Sequence, residues 1–221
     1  MIDIQEYDIF IKNKSTLKET SKDDVDKKDI KYMTNSELEV IDFDGVKDYY
    51  IKDLNLKNTP RSNDALLIKD NELYFIEFKN GKIGKKELNN VKYKIYDSLL
   101  IFTDIINKCV DYTRRNLNYI LVYNKDYRPN PLGKLDKGEV QESREYDKIW
   151  GSLNQFANRD PDPFKIGKQF EGLFFKKVYT CTEEEFEEKF IINKNEKFIK
   201  NTKVIGQASD NIVKKKELEL N

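Results

Sequence analysis

The chain reads as an α/β domain: a central mixed β-sheet flanked by helices, with an additional strand and helices toward the C-terminus. Three observations predict this. Residues 64–69 and 72–79 form two runs that are apolar at nearly every position rather than at alternate ones, so both faces of those strands need cover, as in a sheet packed by helices. Between residues 85 and 108, Leu88, Val91, Ile95, Leu99, Phe102 and Ile106 recur at the three-and-four spacing of one buried helical face. A further apolar run at 119–123 follows that helix, which completes a strand-helix-strand order.

Taken in order, residues 1–35 form an N-terminal extension, partly mobile, because 13–31 are dense in Lys, Asp, Ser and Thr without apolar periodicity. A core spans 36–124. It opens with Val40, Ile41 and Phe43, then Asp44 and Gly45, then 46–51, which reads as a hairpin turning on the Asp-Gly pair. Asp70 and Asn71 make the turn of a second hairpin between the two apolar runs, whose strands belong in the middle of the sheet. Residues 125–213 are a C-terminal elaboration packed on the same domain. Within it an exposed loop covers 125–142, and Ser143 caps a helix carrying Ile149, Trp150, Leu153 and Phe156 that stops at 158–163. A strand lies near 173–178, and Thr182 with Glu185 has the capping-box spacing of a helix running to Ile191. Residues 214–221 are a frayed tail.

Length and composition narrow the chemistry. The 221 residues suit one domain with a full core, and 13 Tyr with 13 Phe supply the burial that a disordered chain of 36% charged residues would lack. Forty basic residues balance forty acidic ones, so no global field draws the molecule onto nucleic acid and any such attraction must be local. There is no histidine, which excludes Ser-His-Asp triads, Cys-His pairs and imidazole ligands. Cys109 and Cys181 form neither a zinc-ligand spacing nor a disulfide framework, and both are expected as core thiols. The N-terminus lacks a basic-then-apolar leader and no apolar run approaches a membrane span, so a cytoplasmic protein without membrane contact is expected.

What chemistry the sequence does carry lies in the second hairpin. With a two-residue turn at Asp70 and Asn71, Lys69 faces Glu72, Leu67 faces Tyr74, and Asp64 faces Glu77. Opposed side chains on neighbouring strands stand roughly 4.5–5.5 Å apart at Cβ, and like charges there repel. Leu66, Ile68, Leu73 and Phe75 share that face, so water screens the pair poorly. A divalent cation would offset the repulsion, since Mg²⁺ takes one or two carboxylates and completes its octahedron with water and phosphate oxygens. Lys79, two residues after Glu77, points to the same side. Two carboxylates and an ammonium suit phosphodiester hydrolysis, with Lys79 orienting the attacking water or balancing phosphoryl charge. The Phe78 carbonyl is a candidate third metal ligand.

Asp64 followed by Glu77-Phe78-Lys79, in a strand, strand, strand, helix, strand order over residues 36–124, resembles the core of the PD-(D/E)XK nucleases, the superfamily of many restriction endonucleases, resolvases and repair nucleases. The resemblance implies a restriction-endonuclease-like sheet. It implies Mg²⁺ or Mn²⁺ on Asp64 and Glu77, with Lys79 assisting the water. Asn63 stands where the family's nominal proline would be. An additional N-terminal acid is common in the family, and Glu37 or Glu39 is nominated. Lys92 and Tyr96 match a basic-residue-then-Tyr spacing that some members carry on the following helix.

Around this core, Lys79, Lys82, Lys85, Lys86, Lys92 and Lys94 are opposed only by Glu87, a basic patch suited either to substrate phosphates or to solvent. Arg61 and Ser62 precede Asp64 within reach of a phosphate. Tyr49 and Tyr50 suit base stacking or packing. The acidic series from Glu183 to Glu188 reads as a helix N-terminal charge preference. The function expected is a divalent-metal-dependent nuclease acting on DNA ahead of RNA, in phage defence or DNA processing, with room for a homodimer or a protein partner. The rivals are a catalytically silent nuclease fold serving as a binding, regulatory or immunity module, and an unrelated fold that merely contains the hairpin.

Overall fold

Asp70 and Asn71 both adopt left-handed φ values, 49° and 67°, the pair of positive angles that a tight two-residue hairpin turn demands. They join β5 (Ala65–Lys69) to β6 (Glu72–Lys79) in a computed structural model that describes residues 4–23, 30–127 and 162–192. The chain divides into two compact units, Met1–Glu183 and Glu184–Asn221, and the sheet belongs to the first.

That sheet is six-stranded and mixed, in the order β1 (Lys14–Thr16), β4 (Glu39–Asp42), β5, β6, β7 (Leu117–Tyr123), β8 (Val178–Thr182). A separate two-stranded ribbon pairs β2 (Lys22–Asp23) with β3 (Lys31–Tyr32). Pairing is antiparallel from β1 to β6 and parallel from β6 to β8. The change of direction follows from the connections: a two-residue turn reverses the chain, whereas a parallel return needs a crossover. Helix α4 (Lys85–Ile105) and the shorter α5 (Val110–Asn116) make that crossover. All seven residues of β7 are buried, and β5 and β6 are the two central strands, as their unbroken apolar runs require.

Helix α4 buries Val91, Ile95, Leu99 and Phe102 against Leu66, Phe75, Tyr119 and Leu121 of the sheet. Each such side chain withdrawn from water contributes roughly 1.5–3 kcal/mol, so this one helix face is a principal anchor of the fold. Phe75 lies edge-on to both Phe43 and Phe102, at ring distances of 4.8 and 5.5 Å. On the same core pack Ile166 and Phe170 of α6 (Ile166–Phe170), and Phe175 beside Tyr119.

Three sequence expectations are corrected. Residues 46–51 are not a strand: Phe43–Ile51 is helix α3, and Asp42 caps it by accepting from the Asp44 and Gly45 amides at 3.0 and 3.2 Å. An Asp three residues before a glycine serves as a helix N-cap, and Phe43, Val46 and Tyr50 share one helical face. A Cβ at Gly45 would fall 2.5 Å from the Asn13 side-chain oxygen, so any larger residue there requires that side chain to shift. Nor is the 13–31 region loose in its described part: β1 pairs with β4, and helix α2 (Leu17–Thr20) carries a fully buried Leu17. Single buried side chains between short elements leave no periodicity to read. Third, the strand expected near 173–178 begins at Val178, and the chain from Glu171 to Phe175 makes only an isolated bridge. The helix expected from Ser143 lies outside the described residues.

A helix does begin directly after Thr182, as α7 (Glu183–Phe186), and continues as a π-helical turn over Glu187–Ile191 in which the Phe186 and Phe190 rings lie 5.8 Å apart. Cys181 is buried as expected, but Cys109 is exposed at the start of α5. Among the described residues no helix is long and apolar enough to cross a membrane.

Candidate functional site

The hairpin register sets the site. Lys69 pairs with Glu72, Leu67 with Tyr74 and Ala65 with Ile76. The paired register ends at Ala65, and the Asp64 amide donates to the carbonyl of that same Ile76 at 3.1 Å, one residue out of step with the ladder. Asp64 therefore stands just before the paired part of β5 and meets Glu77 through its side chain, with Lys79 two residues on.

Between the two acids lies a group the sequence reading placed only in a general basic patch. Lys94, from the middle of α4, puts its Nζ 2.8 Å from Asp64 Oδ1 and 2.8 Å from Glu77 Oε1, and 3.0 Å from Glu77 Oε2. Lys79 Nζ lies 2.9 Å from Glu77 Oε1. That oxygen is held by charge between two ammonium groups rather than by an aligned hydrogen bond. Asp64 Oδ2 accepts from the Phe78 amide at 2.6 Å. Phe78 thus enters through its N–H, which locks the first acid against the second strand.

Burial sets the electrostatics. The Glu77 side chain is 0% exposed while Asp64, Lys79 and Lys94 keep 15%, 19% and 20%. Loss of solvent, reinforced by the Asp64 charge, pushes the Glu77 carboxyl up from 4.5 to about 7 even though Lys94 and Lys79 pull it back. Burial tends to lower Lys94, yet Glu77 and Asp64 outweigh it and hold the ammonium well above the ordinary lysine value. Beneath the pair, on the Glu77 face of β7, Tyr119 is fully buried, and among the described residues its hydroxyl has no hydrogen-bond partner. Burial first, and then the two acids, push that phenol well above its usual value.

Asp64, Phe78, Lys79 and Lys94 open onto a cavity of about 790 Å³. Its far wall is built from the N-terminal segment, including Glu19, Ser21, Lys22 and Asp23. Six acidic side chains and four lysines line it, so the groove is more acidic than the lysine-rich sequence around the site suggests. Asp42 and Asp44 belong to that lining. Burial raises the Asp42 carboxyl despite its hydrogen bonds to the Gly45 and Asp44 amides, and the charges of Asp44 and Asp64 add to the rise.

The remaining nominated residues divide. Lys82 lines the cavity. Lys85 and Lys86 are exposed at the first turn of α4 and Lys92 is half-buried on it, and none of the three lines the cavity. Tyr96 turns away, packing edge-on to Phe170 and Phe174 and accepting from Gln169 at 3.3 Å. Lys94, not the Lys92 and Tyr96 pair, is the helix residue that reaches the acids. Arg61 is stacked on Tyr93 at 4.8 Å, and Ser62 is buried with its hydroxyl donating to Asp44 Oδ1 at 2.5 Å. Glu37 pairs with Lys18 at 3.6 Å and Glu39 with Lys14 at 2.9 Å, both exposed and outside the cavity lining, whereas Asp42 lines it. Tyr49 lies under the Lys12 ammonium and Tyr50 donates to Asp104, which makes both packing residues.

A signal for Lys94 did exist in the sequence. It falls three residues after Val91 and four before Ser98, both fully buried, so it is a charge set in the covered stripe of an amphipathic helix. Ser98 belongs to the same construction, since its hydroxyl accepts the Asn63 amide at 2.8 Å and fixes the chain entering Asp64.

Among the described residues no cluster of three or more Asp, Glu, Cys or His side chains has metal-holding geometry. The donors that do converge are carboxylate oxygens on one cationic point, a set matched to a hard divalent ion such as Mg²⁺ or Mn²⁺, which needs only one or two of them. The two carboxylates fit such an ion in kind, and the Lys94 ammonium stands between them. Comparisons with protein-family models, with curated proteins and with solved structures find no match for this chain.

Proposed function

We propose that this chain is a divalent-metal-dependent nuclease with a restriction-endonuclease-like core, hydrolysing phosphodiester bonds of DNA in preference to RNA. One observation carries the reading: Asp64 and Lys79 line a cavity large enough for a nucleotide segment, with the second acid, Glu77, buried directly behind them. The family resemblance of the Asp64 and Glu77-Phe78-Lys79 pattern points the same way.

Asp64 and Glu77 would hold Mg²⁺ or Mn²⁺, whose contribution when bound is to polarise a phosphate oxygen and acidify water. Lys79 keeps a proton-rich head beside Glu77, from where it steers a water molecule or neutralises charge gathering on the phosphoryl group. The Phe78 amide prevents Asp64 from rotating away. Burial of Glu77 excludes bulk water from the acids and strengthens every charge interaction there. Lys82 supplies a positive contact for substrate phosphate at the cavity rim.

The test is incubation of the purified protein with linear, circular and single-stranded DNA and with RNA, in Mg²⁺, Mn²⁺ or EDTA. Cleavage should vanish with EDTA and fall at least about 100-fold in Lys79→Ala, the scale on which transition-state charge stabilisers act. Cleavage that persists in Lys79→Ala and in Asp64→Ala would remove the proposal. The second reading, a silent module that binds or regulates a partner, is favoured by Lys94 neutralising both acids and by the acidic cavity lining. It predicts no cleavage of any substrate by the parent protein.

A further inference from the structure

The geometry points to Lys94 as a built-in counter-ion that occupies the cation position between Asp64 and Glu77 and has to be displaced before a divalent metal binds there. The inference rests on the metal-site reading above and concerns how that site is controlled.

Three observations carry it. The Lys94 Nζ lies at the same 2.8 Å from an oxygen of each acid, so its charge already stands where a cation shared by the two acids would have to sit. A metal at about 2.1 Å from those oxygens and an ammonium at hydrogen-bonding distance from them cannot coexist without two cations in contact. Second, Lys94 departs from an otherwise covered helix stripe of Val91, Ile95, Ser98 and Phe102; a lysine placed there is neither a packing residue nor a solvated one. Third, Lys94 lines the cavity and keeps 20% of its side chain exposed. Its four-carbon stem can therefore swing the head into the cavity, where Asp44 offers another carboxylate, without moving α4.

Lys79 supplies the contrast that makes this testable. It carries the same charge and lies as close to Glu77, but no ion pair joins it to Asp64, so it flanks the cation position without bridging it. Removing either lysine makes the site more negative by one charge; only removing Lys94 also empties the bridging place.

Mn²⁺ alone, titrated calorimetrically and by electron paramagnetic resonance into the full chain, should bind Lys94→Met at least tenfold more tightly than the parent, with a clearly smaller gain in Lys79→Met. Equal gains in the two variants would show that charge alone matters and would overturn the proposal. So would unchanged or weakened Mn²⁺ binding in Lys94→Met, or binding that survives Asp64→Asn in that background. Should Lys94→Met not fold, Lys94→Gln carries the same comparison. A measurement on the parent stands beside it: in ¹⁵N-lysine spectra, the protected Lys94 ammonium signal should be lost as Mg²⁺ saturates the protein, and its persistence at saturation would also overturn the proposal. The nuclease reading fails separately. Tight Mn²⁺ binding by Lys94→Met with no cleavage by any form leaves the displacement standing and removes the enzyme, whereas metal-dependent cleavage with equal Mn²⁺ affinities does the reverse.

Discussion

Strand β6 carries a glutamate paired with lysine at each end, and the two ends behave oppositely. At its start, Glu72 accepts hydrogen bonds from the Tyr74 hydroxyl and the Asn118 amide, both at 3.0 Å, and pairs with Lys176. Lys176 first, then the tyrosine and amide, hold that carboxyl below its ordinary value against a modest burial penalty. Near its other end, Glu77 has two lysines and still sits about 7. The side chain of Glu72 is 34% exposed and that of Glu77 is 0% exposed. The number of positive partners therefore does not decide the state of a carboxylate; the loss of water and the presence of a second acid do. A satisfied surface pair stabilises a fold modestly, while a buried, contested one leaves a carboxyl far from its ordinary value.

The largest way to sharpen that contrast is to remove the lysine at each end. Lys94→Met should cost about 3–5 kcal/mol at pH 8 in urea denaturation, because it strands two acids in a covered site. Lys176→Met should cost less than about 1 kcal/mol. Comparable losses at both ends would refute the distinction.

Next comes pH. Glu77 has a folded value of about 7 against an ordinary 4.5, so the native state binds more protons and stability from this group falls as pH rises from 4.5 to 7. Glu72 has the reverse sign: its contribution is present above 4.5 and is lost as pH falls through its lowered folded value. Glu77→Gln should accordingly flatten the decline toward neutral pH, by on the order of 3 kcal/mol at pH 8. Glu72→Gln should instead flatten the decline in acid. Melting curves from pH 3 to 8 for the parent and both variants decide this, and identical profiles for the two variants would break the comparison.

Smaller effects probe what holds the Asp64 end in place. Ser98→Ala leaves the buried Asn63 amide without its acceptor and should cost about 1–3 kcal/mol, measured as a shift in the urea midpoint at constant slope. Smaller still, Asn71→Ala forces a left-handed φ of 67° on a residue that resists it. It should cost about 1 kcal/mol, and the register common to both ends should survive.

The carboxylate pair was legible because strand pairing is arithmetic. Once Asp70 and Asn71 are recognised as a two-residue turn, each pair from Lys69 with Glu72 to Ala65 with Ile76 follows, which leaves Asp64 next to the strand position of Glu77. Asp42 and Lys94 were not legible in the same way. Asp42 reaches the cavity because β4 lies beside β5, a pairing between strands joined through a helix and a loop, for which local spacing carries no signal. Glu37 and Glu39 stay out of the cavity lining for that reason: nearness in sequence to the core says nothing about which way a side chain on β4 or before it is turned.

By itself, then, the amino-acid sequence determined what short-range chemistry decides: the hairpin turn, the two central strands, the amphipathic α4, the exclusion of histidine-based mechanisms, and the place of Asp64, Glu77 and Lys79 around one hairpin. Tertiary structure decided which cation stands between the acids, which third carboxylate joins the cavity and how strongly Glu77 resists ionisation. Those quantities depend on distances between segments far apart in the chain and on how much water the packed helix expels, and neither is written in the spacing of neighbouring residues.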